Sequence, residues 1–480
     1  MTAGSDIKAQ EFDSLRRAWP ALAALSLTFL VEMIDNTILN VALPSIGQSL
    51  DATASGLQWV TGIYALVFGG LMLPFGTLAD RIGRKLIMLI GLTLLGVSSL
   101  AVLFVQTPGE LIAVRAATGL AAAMTAPGTM ALAFRIFPDD SLRRRASALI
   151  TSVGMIGLAS GPVVSGVLLE VASWRVLLLI NVPVAVCALI GVWVGIPRDT
   201  EDSKSKAPID WIGAGLAMTT VASGIYYLTR GADTGWLSGS NLGLLALSVA
   251  AGLCFVRRER TAAHPMLDLA VVRAPAVTAG LLNQGALAMC MIATTFLMTL
   301  HLQTIWAWTP LLAGIAGLPR VAAMIGSGPL VDRVVKKFGF RTAGVVGGLV
   351  VSGSVVLYAL LARESYVWMA AATVIMTAGM RVVMISSAIA VMRTLPREKT
   401  STGAALSDTS QELGNSVGVA IAGTALAIVV GSQLGPEHAD QFARAETGSL
   451  LIVAAIATSL SLLAYRVLRP SPEPVGSESH

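Results

Sequence analysis

The stretch Phe29–Pro44, FLVEMIDNTILNVALP, decides the fold class of this chain. It places two acids, Glu32 and Asp35, inside a long apolar run. An ionised side chain at bilayer depth costs several kcal/mol, so such residues are rare, face the protein interior and mark ion or proton pathways. A second pair, Asp408 and Glu412, precedes an apolar helix near the other end of the chain. Acids on one helical face in each half of the sequence indicate transport.

The composition of the whole chain is that of a helical membrane protein. Of its 480 residues, 55% are hydrophobic and 13% are charged, whereas about 25% are charged in an average soluble domain. Apolar stretches of about 20 residues, the length that a helix needs to cross the hydrocarbon core, recur along nearly all of the sequence. A membrane barrel is excluded, because its strands would alternate apolar and polar residues. We therefore expect an all-α integral membrane protein.

Positive residues concentrate in alternate loops, and the intervening loops are nearly bare. This distribution follows the positive-inside rule. It predicts a multi-pass membrane protein with both termini in the cytoplasm. Topology thus accounts for the net charge of +5, and we expect no nucleic-acid partner. The basic loops contain Arg81, Arg84 and Lys85; Arg143, Arg144 and Arg145; Arg198, Lys204 and Lys206; Arg257, Arg258 and Arg260; Lys336, Lys337 and Arg341; and Arg393, Arg397 and Lys399.

An internal repeat divides the chain into two halves. GTLADRIGRK at Gly76 returns as GPLVDRVVKKFG at Gly328, and GLASG at Gly157 returns as GNSVG at Gly414. Parallel repeats of this kind build some secondary transporters. We predict fourteen spans: two six-helix bundles with two additional transmembrane helices between them. The predicted order is a cytoplasmic N-terminus over 1–18, the first bundle over 19–197, the connector with the two additional helices over 198–260, the second bundle over 261–468 and a disordered tail over 469–480.

Six motifs, in order along the chain, carry a resemblance to a known family. The sequence resembles major facilitator superfamily transporters and, within them, the fourteen-helix drug:proton antiporter branch of bacterial multidrug exporters. The resemblance extends from about residue 19 to residue 466 and implies a major facilitator-type fold. The motifs are IDNTILNVALP (34–44), GTLADRIGRK (76–85), LIAVRAATGLAAA (111–123), GLASGPVVSG (157–166), SWRVLLLINVP (173–183) and HPMLDLAVVR (264–273).

Asp35 is the strongest single candidate for proton coupling. An acid in a dry, changing cavity has its proton affinity tuned by desolvation and by nearby cations, so a conformational change can drive proton uptake and release. Arg115 in the fourth span is a plausible partner, and the alternative is a static ion pair that joins two helices. Glu32 lies one turn earlier on a neighbouring face, where we expect it to bind a cationic substrate or a second proton.

Asp408 and Glu412 share one face of a helix. The resemblance implies that acids in this region serve drug cations or protons. Asp408 also lies close to the basic loop at Arg393–Lys399, where it would be a helix-start acid in water. The residues alone do not decide whether Asp408 lies in the cavity or in water. For Glu412, which lies further from the basic loop, we expect a position in the cavity.

Two arginines, Arg320 and Arg381, fall near the middle of predicted spans and depart from what the resemblance leads us to expect. Arginine at such a depth must pair with an acid or line water. They either neutralise Asp408, Glu412 or the acids of the first span across the cavity, or one of them contacts an anionic or zwitterionic substrate. Tyr64 and Phe68, one turn apart in the second span, either anchor at an interface or stack on a flat substrate in the cavity.

The repeated GTLADRIGRK motif predicts a conformational latch. Its glycines permit a tight turn, and its acid can complement a helix N-terminus and pair with a neighbouring arginine. The alternative is a solvated loop that only follows the positive-inside rule. The predicted latch residues are Gly76, Asp80, Arg81, Gly83 and Arg84, with Asp332 and Arg333 in the second copy.

The fifth predicted span carries small residues about one turn apart: Gly157, Gly161, Pro162 and Gly166. Small residues let helix backbones approach closely, and proline allows a kink. The resemblance implies that this helix lines the interface between the halves and is associated with export. The alternative is an ordinary packing helix.

These observations predict a secondary active transporter, a proton-coupled antiporter that exports amphipathic, mainly cationic small molecules by alternating access. We expect a monomer whose partners are the substrate, protons and the bilayer, with the proton gradient as the energy source and no cofactor. The absence of a G-x-x-x-x-G-K-[ST] loop excludes ATP hydrolysis by that motif. Four scattered histidines give no metal spacing, so we expect neither a metal site nor an enzyme. The alternatives are an exporter of an anionic or zwitterionic metabolite or lipid-like compound, and a non-transporting membrane sensor or scaffold.

Overall fold

Long apolar runs without strand-like alternation form helices throughout this protein. The computed structural model describes residues 14–137, 139–199, 210–262, 269–394, 400–430 and 436–468, and no strand occurs in these ranges. The helices are α1 Trp19–Leu50, α2 Ala54–Ile82, α3 Arg84–Ala101, α4 Pro108–Ile136, α5 Asp140–Val171, α6 Arg175–Leu179, α7 Asn181–Gly195, α8 Trp211–Thr234, α9 Gly239–Thr261, α10 Leu269–Arg273, α11 Pro275–Leu300, α12 Pro310–Ile315, α13 Leu318–Gly326, α14 Gly328–Leu361, α15 Tyr366–Thr394, α16 Thr400–Val429 and α17 Ala439–Val467.

Polar caps set several helix starts. The Thr53 hydroxyl accepts a hydrogen bond from the Gly56 amide at the start of α2. Thr107 and Glu110 form a reciprocal capping box at the start of α4. Such caps satisfy amide donors that have no partner inside the helix, each worth about 1 kcal/mol. They fix where a span begins where hydropathy alone does not.

The prediction of fourteen spans is not confirmed. Within the described ranges, twelve helical segments are long and apolar enough to cross a membrane. Two predicted spans fall short of that standard. The first coincides with α8, whose apolar residues are diluted by threonine, serine and glycine. The second is divided at Gly317 into the short helices α12 and α13.

The two halves meet at one end of the molecule. We call the helix ends next to the basic loops the basic side, and the opposite ends the far side. The Gln303 side chain donates a hydrogen bond to the Val41 carbonyl of α1 over 2.7 Å. Ser416 of α16 reaches the carbonyl of Gly62 in α2 over 3.3 Å. All four positions lie away from the basic loops.

Core packing follows the same division. The largest cluster of buried apolar residues joins both halves on the far side, with Ile46 of α1 beside Phe296 of α11 and Leu426 of α16. A second cluster, around Leu25 of α1 and Met88 of α3, lies toward the basic side and belongs to the first half alone. The shared core therefore holds the halves together on the far side.

The two central helices pair with one another and with the seam between the halves. Asp210 precedes α8 and accepts hydrogen bonds from Arg258 of α9 over 3.1 and 3.2 Å. Burial alone would raise the pKa of this carboxyl, but the bonds from Arg258 and from the Gly213 amide outweigh it and hold the pKa below its ordinary value. Ile225 of α8 packs with Leu66 of α2, from the first half, and with Ala420 of α16, from the second.

Candidate functional site

The centre of the site is a buried ion pair between α1 and α4. Asp35 is 2% exposed and Arg115 is 3% exposed. Arg115 Nη1 donates to Asp35 Oδ2 over 2.5 Å, and Asn181, at the start of α7, donates to Asp35 Oδ1 over 3.0 Å. Both carboxylate oxygens are thus satisfied by charge-assisted hydrogen bonds, which stabilise the ionised form inside the protein.

Tyr64 of α2 completes the cation's surroundings. The Arg115 guanidinium lies 4.5 Å from the centre of the Tyr64 ring, a cation–π arrangement. Arg115 Nε also donates to the Val60 carbonyl over 3.4 Å. The Tyr64 hydroxyl is buried without a hydrogen-bond partner. This hydroxyl is a polar group that a substrate, a water molecule or a moved side chain can satisfy.

A small cavity adjoins this network between the two halves. Its lining includes Asp35, Tyr64 and Arg115 from the first half, with Ile292 of α11 and Asn415 of α16 from the second. The cavity therefore puts the buried acid next to both halves, at the level where an alternating-access movement would separate them.

A second acidic group gathers on the same side of the cavity. Glu32 of α1 is 7% exposed, and among the described residues its Oε2 atom has no hydrogen-bond partner. Glu32 lies within electrostatic range of Glu412 and Asp408 of α16. Glu412 is 3% exposed and accepts a hydrogen bond from Asn415 over 3.3 Å. The sequence-predicted acids of the two halves are thus brought together across the interface.

Asp408 differs from Glu412 although it lies one turn away. Its side chain is exposed, whereas Glu412 is buried. The closeness of α16 to α2 explains the contrast, because a Cβ atom at Gly69 would lie only 2.7 Å from the Glu412 Cβ. The interface is therefore sealed at Glu412 and accessible at Asp408, on the basic side.

Phe68 shares the local packing of Tyr64. The two rings lie edge to face with centroids 5.8 Å apart, and both side chains are 3% exposed. They belong to a small apolar cluster with Met72 and with Ala122 and Ala123 of α4. In this conformation both rings support the ion pair from the first half.

The structure does not bring Arg320 or Arg381 to the acids. Arg320 of α13 donates to the Thr295 hydroxyl of α11 over 2.7 Å. Arg381 of α15 donates to the Met324 carbonyl of α13. In the described part of the chain neither arginine pairs with a carboxylate. The predicted neutralisation of Asp408, Glu412 or the α1 acids is therefore absent in this conformation.

The latch residues form contacts within the first half. Arg84 donates to Asp80 over 2.6 Å. Gly83 adopts φ +122°, a region that favours glycine. A Cβ atom there would lie 2.6 Å from Oδ2 of Asp199, which also binds Arg135 and the Lys85 amide. Gly76 is in ordinary contact with Pro127 of α4.

The remaining latch residues lie at the surface or outside the description. Arg81 and Arg333 are exposed. The side chain of Asp332 lies outside the described residues, and so does most of the sixth motif at 264–273. α14 is kinked at Gly339, whose φ is +72°. The predicted switching role of the latch stays a prediction.

The glycines of α5 are required by close helix approach. A Cβ atom at Gly157 would lie 2.8 Å from the Leu30 carbonyl oxygen of α1, and one at Gly161 would collide with the Thr37 side chain. A Cβ atom at Gly166 would lie 2.7 Å from the Pro310 carbonyl of α12. The carbonyl of Pro162 likewise leaves no room for a side chain at Gly314. α5 therefore packs on the Asp35 helix at one level and on the second half at another.

Several residues of the site escape sequence reasoning. Asn181 and Asn415 are neutral amides in apolar helices, so no charge signals them. Asp199 lies in a polar connector where an acid is unremarkable. His301 and Glu446 form a buried pair over 2.6 Å, and their wide sequence separation hides the contact. Asn181 could have been singled out, because it is a polar residue within the motif SWRVLLLINVP.

Comparisons with known proteins follow this geometry. The family model for the Major Facilitator Superfamily matches residues 25–419. The chain belongs to this superfamily. It is 33% identical over 412 residues to the multidrug efflux pump LfrA of Mycolicibacterium smegmatis, covering 85% of this chain and 81% of that protein. It is therefore a multi-pass membrane transporter and not an enzyme.

Two further relatives and a solved structure agree with this assignment. This superfamily member is 30% identical to the methyl viologen resistance protein SmvA of Salmonella typhimurium, over 85% of this chain and 83% of that one. It is 28% identical to the tetracenomycin C resistance and export protein of Streptomyces glaucescens, over 89% and 79% of the two chains. A bacterial homologue of the lysosomal transporter Spinster, in an inward-facing and unoccupied conformation, superposes with a TM-score of 0.68 at 17% identity, covering 96% of this chain and all of that one.

Proposed function

We propose that this protein exports amphipathic, mainly cationic small molecules across the bacterial inner membrane in exchange for protons. The observation that carries the proposal is the buried Asp35–Arg115 pair, 2.5 Å long, beside a cavity shared by both halves. A carboxylate inside a low-dielectric interior stays ionised only while its cation remains in contact. A movement that separates α1 from α4 would therefore couple proton uptake at Asp35 to the change of conformation.

The acids near this pair, Glu32 and Glu412, supply the substrate side of the exchange. Glu32 offers an unpartnered carboxylate oxygen, and Glu412 lies within its electrostatic range. Two neighbouring carboxylates in a dry site attract a cation strongly or share a proton. Proton and cationic substrate then exclude one another, which is the requirement for antiport. The printed names of LfrA and SmvA, a multidrug efflux pump and a methyl viologen resistance protein, agree with such a substrate class.

We infer that the described conformation opens toward the cytoplasm. The contacts Gln303–Val41 and Ser416–Gly62 hold the far side closed, whereas Asp408 on the basic side is exposed. The positive-inside rule puts the basic side, and with it both termini, in the cytoplasm. Under the same proposal α8 and the pair α12–α13 also cross the membrane, which completes fourteen spans. The protein acts as a monomer, with the proton gradient as its energy source.

The deciding experiment measures proton flux in proteoliposomes. The full-length protein is reconstituted, a pH gradient is imposed, and ethidium is supplied as the cation. We expect substrate-dependent proton movement and ethidium transport in the natural protein. Asp35→Asn abolishes both while the protein still inserts. Asp51→Asn is the matched control, because Asp51 is an exposed acid just beyond the end of the same helix, and asparagine tolerates its left-handed conformation equally well.

Two outcomes would refute the proposal. Full ethidium-driven proton flux in Asp35→Asn would remove Asp35 from the coupling. Complete absence of flux in the natural protein, with ethidium and with other dye cations, would favour the non-transporting sensor or scaffold.

A second candidate function is export of an anionic or zwitterionic compound. The observation that favours it is that Arg320 and Arg381 are satisfied by a hydroxyl and a carbonyl, both neutral. A guanidinium in an apolar span without a carboxylate partner retains its attraction for an anion. A panel of dyes matched in size and opposite in charge distinguishes the candidates. Loss of anionic-dye export in Arg381→Ala, with cationic-dye export retained, supports this second function, and unchanged export of both dyes rejects it.

A further inference from the structure

A second buried titratable cluster lies on the far side, within the second half. His301 and Glu446 are each 2% exposed, and Tyr358 is fully buried. The His301 Nδ1 and Glu446 Oε2 atoms are 2.6 Å apart. The Tyr358 hydroxyl donates to Glu446 Oε1 over 3.4 Å. The three residues come from the end of α11, from α14 and from α17.

The surroundings of this cluster exclude water and counter-charge. The His301 ring lies edge to face against Trp306 and Phe442, with centroids 5.0 and 5.7 Å away. Within the described ranges no lysine or arginine pairs with Glu446. On α17 the exposed Arg444 lies two residues before Glu446, while Arg363 and Asp440 pair with each other at the surface, 48% and 89% exposed.

A carboxylate in such a place is costly unless its charge is neutralised. One additional proton achieves this, either as an imidazolium beside a carboxylate or as a neutral imidazole beside a carboxylic acid. Both arrangements contain the same number of protons, so the pair acts as one binding site. Tyr358 stabilises either form by donating its hydroxyl proton as a hydrogen bond.

His301 also begins the segment that closes the far side. His301 starts a π-helical turn that extends to Ile305, and its carbonyl accepts a hydrogen bond from the Trp306 amide over 3.1 Å. Such turns are rare and occur frequently at functional sites. Ala307, just beyond, has φ +52°, a strained conformation for alanine. This segment is therefore held in shape by its surroundings.

Contacts with the first half follow within the same segment. Gln303, inside the π turn, donates to the Val41 carbonyl of α1. Pro310, at the start of α12, lies against Gly166 of α5. The proton-binding pair and the inter-half contacts are thus joined by one short, strained stretch of chain.

We propose that His301 and Glu446 form a second proton-binding site, separate from Asp35, that controls closure of the far side. In the closed arrangement the pair holds one more proton than in the open one. When the far side opens, Gln303 and Pro310 leave their partners, water reaches Glu446, and the ionised carboxylate becomes tolerable. Linkage then requires that acid favours closure and that alkaline conditions favour opening. The inference takes from the proposed function only that the far side opens.

The consequence for exchange is directional. With the far side facing outward, a proton arriving from the outside closes the gate behind a released substrate. The proton gradient would then act on the gate as well as on the binding site.

The test measures the far-side distance as a function of pH. Spin labels are attached at Val171→Cys and Val367→Cys, two exposed apolar positions at far-side ends of α5 and α15, after replacement of Cys187, Cys254 and Cys290. Pulsed electron resonance between pH 5 and pH 9 gives the open fraction in the reconstituted full-length protein. We expect that fraction to rise with pH.

Glu446→Gln keeps the shape of the side chain and removes its charge, so the far side stays closed and loses its pH dependence. His301→Gln removes one of the two proton acceptors and shifts the midpoint by about one pH unit, or about 1.4 kcal/mol, to lower pH. Asp440→Asn is the matched control, because this acid lies on the same end of α17 and pairs with Arg363 at the surface. It keeps the natural pH curve.

If the open fraction in Glu446→Gln depends on pH as it does in the natural protein, the proposal is overturned. Should Glu446→Gln fold poorly, an unshifted midpoint in His301→Gln overturns it equally. The Asp35→Asn protein, labelled in the same way, separates this site from the proposed transport function. A far-side pH response that persists there supports the second site even if Asp35 has no part in coupling, and a response that disappears there assigns the titration to Asp35.

Discussion

Two acids on the same turn of α1 have opposite environments. Asp35 is held by Arg115 and Asn181, whereas Glu32 Oε2 has no partner. A satisfied carboxylate responds to movement of its partners, and an unsatisfied one responds to what enters the cavity. The two acids thus differ in their hydrogen bonding although both side chains are buried, and the proposal assigns the proton to Asp35 and the substrate to Glu32.

Neutralising Glu32 tests the substrate role. We expect Glu32→Gln to weaken ethidium binding by about tenfold, or about 1.4 kcal/mol, because one attractive charge is lost. Glu412→Gln acts in the same direction. The double variant loses more than the sum of the two single losses, since the remaining carboxylate in each single variant is relieved of repulsion from its neighbour and still attracts the cation. Equilibrium fluorescence titration of all four proteins measures this coupling, and strictly additive losses would show that the two acids do not share a site.

Replacing Arg115 by lysine tests whether charge alone suffices. Lysine keeps the charge but loses the planar fork that reaches Asp35 and the Val60 carbonyl while lying on Tyr64. We expect proton-driven export to fall by about tenfold or more, because a charge-assisted hydrogen bond is worth about 1.5–3 kcal/mol.

The matched control for Arg115→Lys is Arg175→Lys. Arg175 also lies on an aromatic ring, that of Trp174, and donates to a carbonyl, that of Val105, but it has no buried acid beside it. Export in this variant remains near that of the natural protein. An equal loss in both variants would reduce Arg115 to a packing residue.

Helix α5 acts as an element that contacts both halves. The helix packs on α1 around Gly157 and on α12 around Gly166. Close packing at both levels lets α5 transmit a change around Asp35 to the far-side contact.

Adding one methyl group to α5 tests the far-side level. A Cβ atom at Gly166 would lie 2.7 Å from the Pro310 carbonyl and 2.8 Å from the Leu311 Cα. Overpacking of this kind costs about 1–3 kcal/mol, so Gly166→Ala shifts the protein toward the open far side. The distance between labels at 171 and 367 reports the shift.

Gly215→Ala serves as the comparison, because nothing lies within 4 Å of a Cβ atom at that position in α8. This variant is neutral or more stable by up to about 1 kcal/mol, as alanine favours a helix more than glycine does. A far-side distance in Gly166→Ala equal to that of Gly215→Ala would contradict the close approach of α5 and α12.

The pairing of α8 with α9 includes one charged contact, that of Asp210 with Arg258. Since the pKa of Asp210 is held below its ordinary value, the ionised group stabilises the folded protein at pH values above the ordinary pKa, and this contribution is lost as pH falls through the lowered pKa. Asp210→Asn, which retains a cap, should lower stability by about 1 kcal/mol at pH 7. Thermal unfolding in detergent at pH 7 and pH 3 measures it, with a difference that shrinks at the lower pH. A difference independent of pH would mean that the charge has no role.

The sequence predicts elements better than it predicts contacts. Hydropathy locates the spans, but two of the fourteen that it predicts are not confirmed: one is divided at Gly317 into α12 and α13, and the other, α8, is weakly apolar. A charged residue in an apolar span needs a partner, and this rule correctly pairs Asp35 with Arg115. The same rule predicts acidic partners for Arg320 and Arg381, whose observed partners are a neutral hydroxyl and a carbonyl. No local pattern links His301 with Glu446, because their contact arises only from the packing of α11 on α17.

At the scale of the whole molecule, contacts between the two halves are not all that closes the far side, because α8 packs against both halves there. α8 packs on the seam where α2 meets α16, with Ile225 between Leu66 and Ala420. A helix attached to both sides of a seam opposes its separation. α8 therefore adds apolar area to the seam between the halves.

The proposed opening toward the basic side predicts an asymmetry in chemical access. Asp408 is exposed and Glu412, one turn further along α16, is buried. In protein lacking Cys187, Cys254 and Cys290, a cysteine at 408 should react with a membrane-impermeant maleimide at least about tenfold faster than one at 412, in line with a free-energy difference of about 1.4 kcal/mol. The reaction occurs in inverted membrane vesicles, whose outer surface is the cytoplasmic one.

The same reagent applied to cells or to right-side-out vesicles should leave the cysteine at 408 unmodified. Val171→Cys, at the far-side end of α5, is the matched control with the opposite expectation, because it reacts from outside. Reaction of 408 from the outside and of 171 from the inside would reverse the topology. Reaction of 408 from neither side would mean that the cavity is closed at both ends, and that Asp408 is exposed only to lipid.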